Sequence, residues 1–195
     1  ESSQMICQHL ERAASLVTAF KQVSVDQASQ KRRPFNLEGY LKEIILSLKP
    51  KLRNSNTSVD IQCHSQLILD SYPGSFYQII NNLVINSLIH ARASTDEKIH
   101  IGINVSCVDR DITIDYTDDG QGLDLQWINN VFEPFATSKR SIGCSGLGMH
   151  ICYNLVHHLL KGEIYCLPAA KGAHFQIALN TNTVHQQQLT DIPNA

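Results

Sequence analysis

At 195 residues, 43% of them hydrophobic and with a formal net charge of -2, the chain is long enough to bury one good core plus an appendage, and it is too apolar to be disordered. It has no dense Lys/Arg stripe, so the footprint of a duplex-binding protein is missing and no nucleic acid is expected as a partner; no apolar run approaches the roughly 20 residues of a bilayer span, and no secretory leader is visible. The six cysteines are dispersed without a C-x-x-C pair, which fits reduced thiols in a cytoplasmic domain better than a disulfide framework or a zinc site.

The chain opens Glu1-Ser2-Ser3 with Met5 internal, so a piece of a longer protein is expected. Residues 4 to 26 read as a helix in which Ile6, Leu10, Ala13, Val17 and Phe20 are spaced four, three, four, three. That is a coiled-coil seam, and at under three heptads it leaves open both pairing with a second copy and packing against the domain that follows. Lys31-Arg32-Arg33-Pro34 reads as a basic, proline-ended hinge. Asn36 is placed to cap a helix over residues 37–53, with Leu37, Leu41, Ile44, Ile45 and Leu48 facing a core and Pro50 expected to kink or shorten it. Val59–Cys63 and Leu67–Leu69 read as short strands, and Tyr72-Pro73-Gly74 as a turn.

The stretch from Gln78 to Ala91 organises the rest. Ile79, Ile80, Leu83, Val84 and Leu88 recur at helical steps, as in a helix buried on most of its surface. Gln78, Asn82, Asn86 and His90 nevertheless fall at successive i,i+4 positions and form a polar stripe. A buried amide without a partner costs on the order of 1–3 kcal/mol, so the stripe demands either backbone partners, solvent or a ligand. Ile99 to Cys107 and Ile112 to Tyr116 alternate apolar with polar residues, the pattern of two strands with one buried face. A further helix is predicted over 146–160 and strands near 162–167 and 173–179, while residues 181–195 lack an apolar period and are expected to form a mobile tail.

Three more stretches carry chemical signals. Asp118-Asp119-Gly120-Gln121-Gly122 ends a strand with a carboxylate beside two glycines, which suits close approach to a flat ligand bearing an exocyclic amine, although D-x-G-x-G is also a common tight turn. Gly143-Cys144-Ser145-Gly146-Leu147-Gly148 opens a helix and could offer backbone N–H groups to phosphates, and its spacing excludes both a P-loop and a dinucleotide fingerprint. Phe132 to Arg140, rich in hydroxyls and charge, has the composition of a phosphate-covering lid or of a solvated loop.

Taken together, N-N-L-x-x-N, D-x-G-x-G, F-E-P-F and G-L-G-M in this order resemble the ATP-binding catalytic domain of sensor histidine kinases, within the wider group that includes type II topoisomerases, Hsp-type chaperones and mismatch-repair ATPases. The resemblance implies an α/β (α+β) fold, a two-layer sandwich of a mixed β-sheet on three main helices (the Bergerat fold). It divides the chain into a partial dimerisation and phosphotransfer helix with hinge (1–33), the catalytic domain (34–180) and the tail. It implies ATP and Mg²⁺ as cofactors, with Asn86 as metal ligand, Asn82 lining the phosphate site and His90 near it. Asp118 would read the adenine amine while Gly120 and Gly122 admit the base. Ser145, Gly146, Leu147, Gly148 and Met149 would form the phosphate loop, and Thr137, Ser138, Lys139 and Arg140 the lid, with Asn82, Asn86 and Lys139 the residues of the transfer itself.

The implied reaction moves the γ-phosphoryl of ATP to a histidine, expected upstream of Glu1, for relay to a response-regulator aspartate. The implied partners are the parent's dimerisation helix, a receiver domain and a second copy, and the implied setting is cytoplasmic, within a sensor that can be membrane-anchored. Two rivals stand beside it, an ATPase of the same fold and a nucleotide-binding or dimerising scaffold without transfer activity. Hydrolases of this kind usually place Glu where Asn82 sits. The chain departs from the common kinase pattern at Ile89, where Lys is frequent, at Cys144, where Gly is usual, and at Ala173, where Thr is common. His64, His100, His157, His158 and His185 lack motif context and read as surface or structural histidines.

Overall fold

Asn36 caps the first long helix as its position predicts, its Oδ1 accepting a 2.7 Å hydrogen bond from the Gly39 N–H. The computed structural model describes residues 31–64, 67–91, 97–136, 146–180 and 184–185. The expected seam helix at 4–26, the lid residues Thr137, Ser138, Lys139 and Arg140, the loop residues Gly143 to Ser145, and the tail beyond 185 lie outside the described residues.

Helix α1 (Leu37–Asn54) continues past Pro50 to Asn54, so the expected shortening does not occur. Pro50 lies in the last turns, where only one helical N–H is lost, and buried Leu48 and Leu52 anchor the chain on either side of it. The basic segment before it is also more than a hinge. Arg33–Asn36 forms strand β1, antiparallel to β3 (Ile68–Ser71), with Phe35 opposite Leu69 and both buried. Arg32, just before the strand, pairs with Asp70 at 3.2 Å. Strand β8 (Val184–His185) lies on the other side of β3.

The main sheet has the order β2 (Thr57–Gln62), β4 (Ile99–Val108), β5 (Asp111–Asp118), β7 (His174–Asn180), β6 (Glu163–Leu167). The β2–β4 pair is parallel and the other three are antiparallel, a mixed sheet as expected. Its inward positions, Ile99, Ile101, Ile103, Ile112, Ile114, Tyr116, Ile164, Phe175, Ile177 and Leu179, join the helices in one core. From α1 come Leu41, Ile44 and Leu48; from α2 (Pro73–His90), Ile79, Ile80, Leu83 and Val84; from α4 (Gly148–Asn154), Met149 and Cys152. A short helix α3 (Leu125–Asn130) follows β5. The chain after α4 widens into a π-type turn over Leu155–Leu159, where an uninterrupted helix to 160 is predicted. The fold is a two-layer α/β sandwich, and no described helix is long and apolar enough to cross a membrane.

Candidate functional site

The alternation of β5 continues one step past its apolar residues: Ile112, Ile114 and Tyr116 point inward, and so does Asp118, which is 7% exposed. A carboxylate so placed needs donors, and three are supplied. Oδ1 accepts from the N–H of Gly120 and of Ala173, each at 3.1 Å, and Oδ2 accepts from Ser87 Oγ at 2.6 Å. The Ser87 hydroxyl is also 2.8 Å from Tyr116 Oη. Burial pushes the Tyr116 phenol well above its ordinary value, so the ring keeps its hydrogen.

The glycines are first of all packing devices. A Cβ on Gly120 would strike Ala91 at the end of α2, whose carbonyl accepts from the Gln121 N–H at 2.9 Å. Gly172 sits at φ +68, and a Cβ there would overlap the Asp118 carbonyl. Gly122, in the turn that follows Asp118, lies beside the Gly172 backbone. Ala173, one of the departures from the kinase pattern, serves Asp118 through its main chain, which also accepts from the Asp118 N–H at 3.0 Å. Asp119 faces outward. The His100 N–H at 2.7 Å and Lys171 Nζ at 3.2 Å hold its carboxyl below the usual range.

Asn82 lies in the middle of α2 and donates Nδ2 to the Gly148 carbonyl at 3.0 Å, with Cys152 Sγ 3.6 Å away. Asn82 therefore ties the polar stripe to the first turn of α4. Asn86 and His90 continue the stripe toward the Asp118 end, both half-buried. Gly146 backs onto the Phe135 main chain, and Leu147 accepts from the Ile151 N–H at 2.9 Å. The Met149 side chain is in the core, so only its main chain could serve a ligand. Burial pushes the Cys152 thiol up to about 12.

Of the predicted site residues, Asn82 meets Gly148 at the start of α4, Asn86 and His90 follow it along α2, and Asp118 and Gly120 pack against Ser87 and Ala91 at the end of that helix. Thr137, Ser138, Lys139, Arg140 and Ser145 lie outside the described residues. The sequence reading missed Ser87 and Tyr116; a lone hydroxyl on the buried side of a greasy helix, and a tyrosine two residues before an inward aspartate, were the available signals. A groove of about 530 Å³ between α1 and β2, lined by Lys42, Lys49, Arg53, Ile45 and Val59 among others, contains none of the motif residues.

Residues 72–183 match the sequence family described as histidine kinase-, DNA gyrase B-, and HSP90-like ATPase. The autoinducer 2 sensor kinase/phosphatase LuxQ of Vibrio vulnificus is 27% identical over 88% of this chain and 21% of its own length. Sensor kinase CckA of Brucella abortus is 28% identical over 97% of this chain and 21% of its own. The chain thus spans about a fifth of these curated relatives. The catalytic domain of histidine kinase ThkA superposes with a TM-score of 0.67 at 22% identity, covering 77% of this chain and 96% of that one.

Proposed function

The chain belongs to the family of histidine kinase-, DNA gyrase B- and HSP90-like ATPases, and on that premise we propose that it is the ATP-binding catalytic domain of a two-component sensor histidine kinase. The observation that carries the reading is the organisation of one helix. The polar stripe of α2 meets the start of α4 at Asn82, while the same helix grips the carboxylate of D-x-G-x-G through Ser87. The start of α4 and the D-x-G-x-G turn, far apart in sequence, are thus both tied to one helix, and this supports a nucleotide lying along it.

The residues present fit ATP and Mg²⁺. Asp118 keeps one acceptor position for an exocyclic amine. Asn86 offers a neutral oxygen of the kind Mg²⁺ accepts when phosphates supply the negative charge. The main chain of Gly146 to Met149 and the lid segment Thr137 to Arg140, Lys139 included, would hold the phosphates. When bound, the ion would neutralise charge on the phosphates, which is most of what phosphoryl transfer requires of a protein. The chain's own part is to orient the base at Asp118 and to keep Asn82 fixed against Gly148.

Asn82 also bears on the hydrolase rival. An amide whose nitrogen donates to a carbonyl cannot take a proton from an attacking water, which favours transfer over hydrolysis. The phosphoryl acceptor would be a histidine of the parent's hairpin, and a second copy and a receiver domain would be the partners. The test is calorimetric titration of Mg²⁺-ATP into the chain, followed by γ-labelled ATP with the parent's hairpin supplied separately. Saturable binding and an acid-labile, base-stable label on the hairpin are expected. Absence of ATP binding would overturn the reading, and binding without any label would leave the scaffold in its place.

A further inference from the structure

The Asp118 carboxylate is unusually fully occupied for a group that would read a ligand. An ionised carboxyl has about four acceptor positions. Two, on Oδ1, are taken by the N–H groups of Gly120 and Ala173 at 3.1 Å, and one, on Oδ2, by Ser87 Oγ at 2.6 Å. One remains, on Oδ2. Because Ser87 has a single hydrogen and spends it on Asp118, the 2.8 Å contact with Tyr116 must run the other way, with the phenol donating to Ser87 Oγ. The three groups form a directed chain, Tyr116 to Ser87 to Asp118, in which every hydrogen is assigned.

All three members are buried, Tyr116 completely, Ser87 at 3% and Asp118 at 7% exposure. They come from two elements, α2 and β5, both inside the core, so the chain is held rigid by packing on each side. Both Asp118 oxygens receive donors along fixed directions, so the carboxylate can neither rotate nor present a hydrogen of its own along those contacts.

We infer that Ser87 and Tyr116 are positioning residues for base recognition, holding Asp118 so that its one remaining acceptor on Oδ2 selects a purine with an amine at C6 over one with a carbonyl there. The inference rests on the nucleotide-binding reading above and deepens it. Asp118 would touch the base; Ser87 and Tyr116 act through it. With the Ser87 hydroxyl removed, the carboxyl loses one of its three restraints, Oδ2 gains a second acceptor position and can tilt, and the carbonyl-bearing base is opposed less strictly.

The experiment compares ATP with inosine triphosphate, in which the C6 amine is replaced by a carbonyl and N1 carries a hydrogen, in competition binding to the full chain with Mg²⁺. The parent should favour ATP by roughly tenfold or more, since two opposed acceptors cost on the order of 1–3 kcal/mol. Ser87→Ala should shrink that preference by about threefold to tenfold, and Tyr116→Phe, which keeps the ring in the core, by a smaller factor in the same direction. Hydroxyls with a merely structural role would weaken both nucleotides alike. An unchanged ATP-to-inosine ratio in both variants, beside a parent that binds ATP, overturns this inference and leaves the kinase reading standing. A parent that binds neither nucleotide overturns both. Should Ser87→Ala fail to fold, the Tyr116→Phe ratio decides alone.

Discussion

Asn82 Nδ2 lies 3.0 Å from the Gly148 carbonyl oxygen, a single hydrogen bond that joins the middle of α2 to the first residue of α4 across 66 positions of sequence. The amide nitrogen matters here more than the side chain's size. Asn82→Asp places a carboxylate oxygen against a carbonyl oxygen and should cost on the order of 1–3 kcal/mol, while Asn82→Ala merely deletes the bond at about 1 kcal/mol. For a chain of this length each kcal/mol corresponds to roughly 2–4 °C in Tm. Urea denaturation of both variants checks the order, and coincident midpoints for Asp and Ala would show that Gly148 does not need a donor.

Gly172→Ala should be the most damaging conservative substitution near the site. A left-handed residue with a Cβ pays about 1–2 kcal/mol, and here the methyl would also overlap the Asp118 carbonyl. The strain falls on the segment that supplies the Ala173 N–H to Asp118. Loss of stability of more than about 2 kcal/mol and loss of ATP binding should therefore appear together. A variant with parental affinity would mean that the Gly172 turn can shift without carrying Asp118 along.

How far the sequence carried the site follows from where each signal was local. Ile112, Ile114 and Tyr116 alternate, and Asp118 takes the next inward position of the same strand, so its burial was legible in four residues. The polar stripe was legible for the same reason, being periodic within one helix. Ser87 was not. It sits one residue off the stripe, facing the core, and its partner lies 31 residues away on β5, a pairing that no local period encodes. Strand β1 was not legible beside the basic segment at 31–34, because its pairing with β3 through Phe35 and Leu69 is not local. The π-type turn at Leu155–Leu159 keeps an apolar helical pattern in sequence and differs only in which carbonyls the N–H groups reach.

Alkaline conditions should destabilise the fold through its buried thiols. Burial raises Cys152 from an ordinary 9.0 to about 12, so between those values the unfolded chain gives up a proton that the folded one keeps. A raised value of this kind contributes fully below pH 9, and stability is lost as pH climbs toward 12, at about 1 kcal/mol per pH unit. Cys63 and Cys166, both raised to about 11 by burial first of all, add to the trend less strongly because they are only half-buried. Urea midpoints under reducing conditions, from neutral pH to about 10.5, should fall more steeply for the parent than for Cys152→Ala. Parallel profiles would exclude Cys152 as a source of the slope.

Asn86 is the residue through which Mg²⁺ and the fold can be separated. It stands one turn beyond Asn82 on the same face of α2 and is half-buried, while the hydrogen bonds between α2 and α4 are made at Asn82 and Ile79. Asn86→Ala should therefore leave the urea midpoint within about 0.5 kcal/mol of the parent. Its effect should fall on the metal. A neutral oxygen is one of few protein ligands Mg²⁺ would have here, and without it the ion keeps only phosphates and water. Calorimetry of ATP with excess Mg²⁺, and again with the ion chelated, isolates that contribution. The parent should gain affinity on adding Mg²⁺, the variant should lose roughly tenfold of that gain, and the two should bind metal-free ATP alike. Equal affinities of parent and variant under both conditions would remove Asn86 from the metal site, and an equal loss under both would make it a contact to the nucleotide itself.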